Sequence, residues 1–197
     1  MSEEHFTCTD RAQKEQLLKQ HSVAIWMTGL SGAGKTTLGL SLEKALFEKG
    51  YFVQLLDGDD VRTGLNKNLG YSDEDRTENI RRIAEVNRLF VRSGIITISC
   101  FISPTKAIRE MAREIIGPEN FLEIFVHAPF DVCEKRDVKG HYAKARKGLI
   151  KQFTGIDSPY EDPEEPFLDV DTSTDGVEES TQKVLDHILP IIQRDFK

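Results

Sequence analysis

Eight consecutive residues, Gly29-Leu30-Ser31-Gly32-Ala33-Gly34-Lys35-Thr36, constrain this chain more than anything else in it. They satisfy the spacing G-x-x-x-x-G-K-[ST], in which glycines let successive backbone N–H groups turn inward around phosphate oxygens. The lysine ammonium reaches the terminal phosphates, and the threonine hydroxyl is placed to hold a magnesium ion, which takes oxygen ligands. Such a loop works between a buried strand and the start of a helix, where backbone dipoles favour an anion. Residues 23–27 (VAIWM) read as that strand, and the stretch from Thr37 to residue 46 reads as that helix. Motif and context agree on phosphate binding.

Strand-prone and helix-prone stretches alternate along the rest of the chain. A polar helix-prone stretch over 10–20 precedes a strand at 23–28, a helix at 35–49 and a strand at 51–56. A helix over 72–92 follows, opened by Ser72-x-x-Asp75 as a capping box. Then come a strand at 95–101, a helix at 105–116, a strand at 121–126 and a short helix at 130–136. A long polar segment over 137–163 leads to a strand near 167–171 and a helix over 177–196. Alternation of this kind predicts an α/β fold, a parallel sheet with helices on both faces. Ligands of such sheets bind beyond the carboxyl ends of the strands, where the phosphate loop, Asp57 and Ser103 all fall. At 197 residues the chain suits one domain. We expect an N-terminal arm or helix over 1–21 and a single domain over 22–197.

A net charge of −7 and a pI near 5.3 argue against a general nucleic-acid binder. No apolar run approaches the length of a membrane span. The start, Met1 to Phe6, has neither the basic beginning nor the apolar core of a secretory leader. Cys8, Cys100 and Cys133 are odd in number and widely spaced, which fits neither a disulfide framework nor a CxxC metal site. These features point to the cytoplasm.

A second constellation follows the strand at 51–56, in Asp57-Gly58-Asp59-Asp60-Val61-Arg62. A carboxylate at a strand tip beside a phosphate loop can orient magnesium or its water shell, and we expect Asp57 to do so. A second carboxylate can accept the proton of a substrate hydroxyl during phosphoryl transfer, a role that suits Asp59. On the helix over 72–92, Arg76 and Asn79 are three apart and share a face, so they could grip one anion. Arg82 falls near that face and Arg81 points elsewhere. Tyr71 and Phe153 could stack on a base. The basic run from Arg136 to Gly148, within an acidic protein, suggests a mobile lid over approximately 137–160 that closes over phosphates.

At this point the chain resembles the adenylylsulfate kinase family over residues 26 to about 160. The resemblance rests on the phosphate loop with Thr28 and Thr37, on LDGD at 56–59 with Val61-Arg62, and on GLNKNLGY at 64–71. It rests further on Asp75-Arg76, ENIRRIAEV at 78–86, FISP at 101–104, CEKRDVKG at 133–140 and FTGID at 153–157. It implies a three-layer P-loop NTPase-type fold, ATP as co-substrate with Mg2+, and phosphorylation of adenosine 5′-phosphosulfate on its 3′-hydroxyl. By the same resemblance Gly29, Leu30, Ser31, Gly32, Ala33, Gly34, Lys35, Thr36 and Thr37 bind ATP, and Arg136 lies against its adenine. Asp59 engages the ribose hydroxyl as base. Arg62, Arg76 and Asn79 hold the phosphosulfate, Tyr71 and Phe153 sandwich the adenine, and Ile102, Ser103 and Lys139 complete the pocket. Ser103 also stands where bacterial members are described as carrying a phosphoserine, although direct in-line transfer needs no covalent stop. A homodimer and an ATP sulfurylase partner are implied too. Three positions depart from the family pattern: Asp60 for the common asparagine, His141 for leucine and His127 for aspartate.

Two rival readings stay open at this stage. One is a kinase for another hydroxyl, such as gluconate, shikimate or a nucleoside monophosphate. The other is a nucleotide-dependent switch, against which Asn66-Lys67-Asn68-Leu69 lacks the terminal aspartate of the guanine-reading NKxD signature.

Overall fold

The computed structural model describes residues 9–193. Its helices are α1 (Arg11–Leu18), α2 (Lys35–Glu48), α3 (Gly58–Thr63), α4 (Asp73–Arg92), α5 (Lys106–Ile116), α6 (Phe130–Arg136), α7 (His141–Arg146) and α8 (Val177–Ile192). Its strands are β1 (Ala24–Thr28), β2 (Val53–Asp57), β3 (Ile96–Cys100), β4 (Phe121–His127) and β5 (Leu168–Asp171). They form one sheet in the order β2-β3-β1-β4-β5 with every ladder parallel. β1 lies at the centre, with Ala24 opposite Thr97 on one side and Phe121 on the other.

Period-two alternation along β1 sends side chains to two dry faces, which is why the strand is apolar throughout. Val23, Ile25 and Met27 face a core closed by Leu38, Leu42 and Leu46 of α2 and Val184, Leu185 and Ile188 of α8. Ala24 and Trp26 face the opposite core, closed by Ile80, Ile83 and Ala84 of α4 and Ile108, Ala112 and Ile116 of α5. The Trp26 ring lies 5.6 Å from both the Phe101 and the Phe121 ring. The chain leaves β1 for β2 and β3 on one side, then crosses to β4 and β5 on the other. That reversal of strand order beside β1 opens a crevice at the carboxyl edge, where the phosphate loop begins.

Three local expectations needed revision. Residues 58–63 form α3, a helix absent from the sequence reading, because the Asp57 carboxylate caps it by accepting from the Asp59 N–H at 2.9 Å. At the start of α4, Ser72 accepts from the Asp75 N–H at 3.2 Å. The reciprocal half of the capping box is missing, because the Asp75 carboxylate accepts from the Gly70 N–H instead. The polar segment after α6 contains α7, whose first amides at Tyr142 and Ala143 donate to the Asp137 carboxylate at 3.0 and 2.9 Å. α7 has a core of its own in Tyr142, Ala145 and Phe153, packed on Ala33 and Cys133. Phe196, the expected end of the last helix, lies outside the described residues. Among those residues no helix is long and apolar enough to cross a membrane.

Candidate functional site

The phosphate loop sits where its glycines are sterically obligatory. A Cβ on Gly29 would fall 2.0 Å from the Val126 carbonyl oxygen of β4, and one on Gly32 would fall 2.7 Å from the Cys133 carbonyl of α6. Gly29, Gly32 and Gly34 also hold φ of 148°, 78° and 96°, a region other residues rarely enter. Gly34 starts α2 without a capping side chain, so the first amides of that helix are left for an anion. Lys35 is only 8 % exposed and donates to the Gly29 and Leu30 carbonyls at 2.8 Å each. Burial pushes its ammonium down from 10.5 to about 8.

Beside the loop, the Thr36 hydroxyl donates to the Asp57 carboxylate at 2.7 Å, joining β1's loop to the tip of β2. Two residues on, the Asp59 carboxylate pairs with the Lys139 ammonium, which descends from the segment between α6 and α7. Arg62 holds its guanidinium over the Tyr71 ring at 4.5 Å and donates to the Gly70 carbonyl at 2.9 Å. Among the described residues no three His, Cys, Asp or Glu side chains gather as a metal site. Thr36 and Asp57 do place two oxygen donors together beside the loop, which fits a magnesium ion completed by phosphate oxygens and water.

Arg76 and Asn79 of α4 have different partners. Arg76 donates to the Tyr71 carbonyl at 2.9 Å, to the Thr154 hydroxyl at 2.6 Å and to the Gln152 carbonyl. One guanidinium thereby ties the backbone at Tyr71 to the residues on both sides of Phe153. Tyr71 is 59 % exposed, while Phe153 is 7 % exposed with its ring edge-on to Tyr142 at 4.9 Å. Asn79 is buried and accepts from the Asn66 amide at 3.0 Å. The Ile102 carbonyl accepts from the Thr28 hydroxyl at 2.8 Å. Ser103, with φ of 38°, is 2 % exposed; its hydroxyl accepts from the Trp26 indole N–H and donates to Thr28, at 3.1 Å each. Arg136 donates to the Gly32 carbonyl at 3.1 Å and to the Thr172 carbonyl at 2.7 Å.

Sequence reading missed four residues of this edge. The Thr172 hydroxyl donates to the Ala33 carbonyl at 2.8 Å and buttresses the loop from behind. The Tyr142 hydroxyl donates to the Ser31 carbonyl at 2.9 Å, docking α7 on the loop. Arg109, buried and paired with Glu123 at 2.8 Å, donates to the Ser103 carbonyl at 3.0 Å. Asn66 fixes Asn79. None of the four carries a local sequence signal, because each acts on a group that only the folded chain brings beside it. A cavity of about 410 Å3 opens between Leu30 and the segment carrying Gly155, Ile156 and Tyr160. Of the departures from the family pattern, Asp60 is exposed, His127 pairs with Asp169 at 2.6 Å, and the His141 ring lies 6.4 Å from Phe153.

Comparison with known proteins agrees with this geometry. Residues 21–171 match the family described as Adenylylsulphate kinase. A Bacteroides fragilis protein named adenylyl-sulfate kinase is 58% identical over 184 residues, covering 93% of this chain and 91% of its own length. A Bacteroides thetaiotaomicron protein of the same name is also 58% identical, covering 93% and 92%. The solved structure of Mycobacterium tuberculosis APS kinase in complex with AMPPNP and APS is 42% identical. It superposes with a TM-score of 0.82 and covers 85% of this chain and 98% of its own. The chain belongs to the adenylylsulphate kinase family.

Proposed function

We propose that this chain transfers the γ-phosphoryl group of ATP to the 3′-hydroxyl of adenosine 5′-phosphosulfate, giving ADP and 3′-phosphoadenosine 5′-phosphosulfate. Family membership carries the reaction. The observation that carries the site is the Thr36–Asp57 hydrogen bond of 2.7 Å, which sets the acidic turn against the phosphate loop. The loop amides and Lys35 stabilise the triphosphate, and Arg136 borders its adenine. The acceptor oxygen attacks the γ-phosphorus as the bond to the β–γ bridging oxygen breaks, ADP departs, and the hydroxyl proton passes to Asp59. Magnesium, when bound, neutralises charge on the β- and γ-phosphates; Thr36 would ligate it and Asp57 would hold its water shell.

On the acceptor side, Arg62, Arg76 and Asn79 hold the phosphosulfate, and Tyr71 and Phe153 bracket the adenine. Ile102 and Ser103 form the wall, and Lys139 brings positive charge from the lid. The geometry of Ser103 favours this wall role over a covalent one, since both neighbours of its hydroxyl are protein groups. Gluconate or shikimate offers no flat base for Tyr71 and Phe153. We also assign residues 22–197 to one kinase domain after an arm over 1–21, in the cytoplasm. A homodimer, with ATP sulfurylase as a partner, completes the reading and is tested by sedimentation and co-purification.

The decisive assay measures ADP release from the purified chain and MgATP, with and without adenosine 5′-phosphosulfate, and identifies the product by chromatography. Release that depends on that compound supports the proposal. Equal release without it, or release driven by gluconate or shikimate instead, overturns it.

A further inference from the structure

We infer that Asn66 is a positioning residue that forces Asn79 to offer its amide N–H group, rather than its oxygen, to the anionic end of the acceptor. The inference deepens the proposed site and rests on Asn79 being a phosphosulfate ligand.

An amide side chain has a donor end and an acceptor end, and only its partners decide which way it points. Arg82 is the one partner here whose polarity is fixed, because a guanidinium can only donate. It is held by Glu78 at 2.8 Å, by the Asn68 side-chain oxygen at 2.9 Å and by the Leu65 carbonyl at 3.3 Å. Its Nη1 then faces the Asn66 side chain at 3.5 Å, so the Asn66 atom on that side is oxygen. The opposite end of Asn66 is consequently the amide nitrogen, which donates to Asn79 Oδ1 at 3.0 Å. Asn66 is also held in position. It is fully buried, and its backbone N–H is bonded to the Val61 carbonyl at 2.8 Å.

Asn79 thus has its oxygen committed and its Nδ2 left over. Among the described residues that nitrogen donates to no protein group, yet it is not among the sealed, unsatisfied polar atoms. Asn79 lies on the face of α4 that also carries Arg76, one turn earlier. An anion is bound by donors and repelled by carbonyl oxygen, so the orientation decides whether Asn79 attracts the acceptor or opposes it. Polarity set by one arginine therefore passes through two buried amides to the substrate.

Asn66→Asp tests this directly, because it puts an acceptor on both sides. Arg82 gains a carboxylate partner, while Asn79 must turn its amide nitrogen inward and present oxygen outward. We expect KM for adenosine 5′-phosphosulfate to rise roughly ten- to a hundredfold, with kcat and KM for ATP little changed. Asn66→Ala, which frees Asn79 without reversing it, produces a smaller rise. A direct field effect of the new charge is separated by repeating Asn66→Asp in an Asn79→Ala background. Loss of the effect there supports the inference; an equal rise in both backgrounds overturns it. If Asn79→Ala alone leaves that KM unchanged, Asn79 is no ligand and the inference falls, whereas a wild-type chain inactive on this substrate overturns the reaction itself. Should Asn66→Asp not fold, Arg82→Met carries the same test, since it removes the donor that sets the polarity. Its KM increase must likewise vanish when Asn79 is alanine.

Discussion

Lys35 offers the most quantitative test of the phosphate loop. Its ammonium is buried against the Gly29 and Leu30 carbonyls and titrates near about 8 rather than 10.5. A bound triphosphate adds negative charge beside it and returns the pKa above the range of interest. ATP binding must then be accompanied by proton uptake wherever the free enzyme has lost the proton. The expected uptake is about 0.1 proton at pH 7, about 0.5 at pH 8 and about 0.9 at pH 9. ATP affinity falls by about tenfold at pH 9 for the same reason. The buried thiols and phenols beside the loop and wall are displaced from this window. Burial pushes the Cys100 thiol up to about 12 and raises the Cys133 thiol and the Tyr142 and Tyr160 phenols. Calorimetric titration in buffers of different ionisation enthalpy reads the uptake, with Lys35→Arg as the always-charged control. No uptake at pH 9, or the same uptake in Lys35→Arg, would refute the reasoning. The sign also holds for folding. The folded chain holds this proton less tightly than the unfolded one, so between about 8 and 10.5 stability without nucleotide rises with pH.

Two further outcomes follow from the loop and the wall beside it. Gly29→Ala drives a methyl group into the Val126 carbonyl, so we expect a stability loss of about 1–3 kcal/mol and ATP binding weaker by about tenfold or more. Denaturant melts and calorimetry measure both, and Gly176→Ala, in extended backbone with nothing within 4 Å, is the mild control. Ser103→Ala removes the acceptor for Trp26 and should cost about 1–2 kcal/mol in a thermal melt while kcat changes by only a few-fold. A loss of about a hundredfold in kcat, or phosphoserine found by mass spectrometry after incubation with ATP, would restore Ser103 as a covalent carrier.

What could be read in advance divides by the range of the interaction. The phosphate loop, its strand and its helix were legible because their chemistry lies within one stretch of backbone. The apolar periods of α4 and β1 announced their buried faces for the same reason. Helix α3 was not legible, since Asp57-Gly58-Asp59 has turn composition and only the side-chain cap on Asp59 makes it helical. α7 was hidden because Tyr142 and Ala145 are its only buried residues, too few to display a period. Asn66, Arg109 and Thr172 are polar residues whose meaning depends on partners brought close by the sheet. Arg76 and Asn79 were legible as neighbours on α4, but their separate tethers, to Thr154 and to Asn66, could not be inferred from spacing.

The buttress behind the phosphate loop has a consequence for how the molecule matures. Thr172 reaches Ala33 across 139 positions, and Arg136 reaches Thr172 from the end of α6. The loop residues leave the ribosome well before their brace, Thr172, which follows β5 and is made 139 positions after Ala33. A nascent chain lacking β5 carries the whole phosphate-loop motif without the support that shapes it. Contacts of such high sequence separation form late and slowly. The loop therefore gains its full support only once β5 has docked.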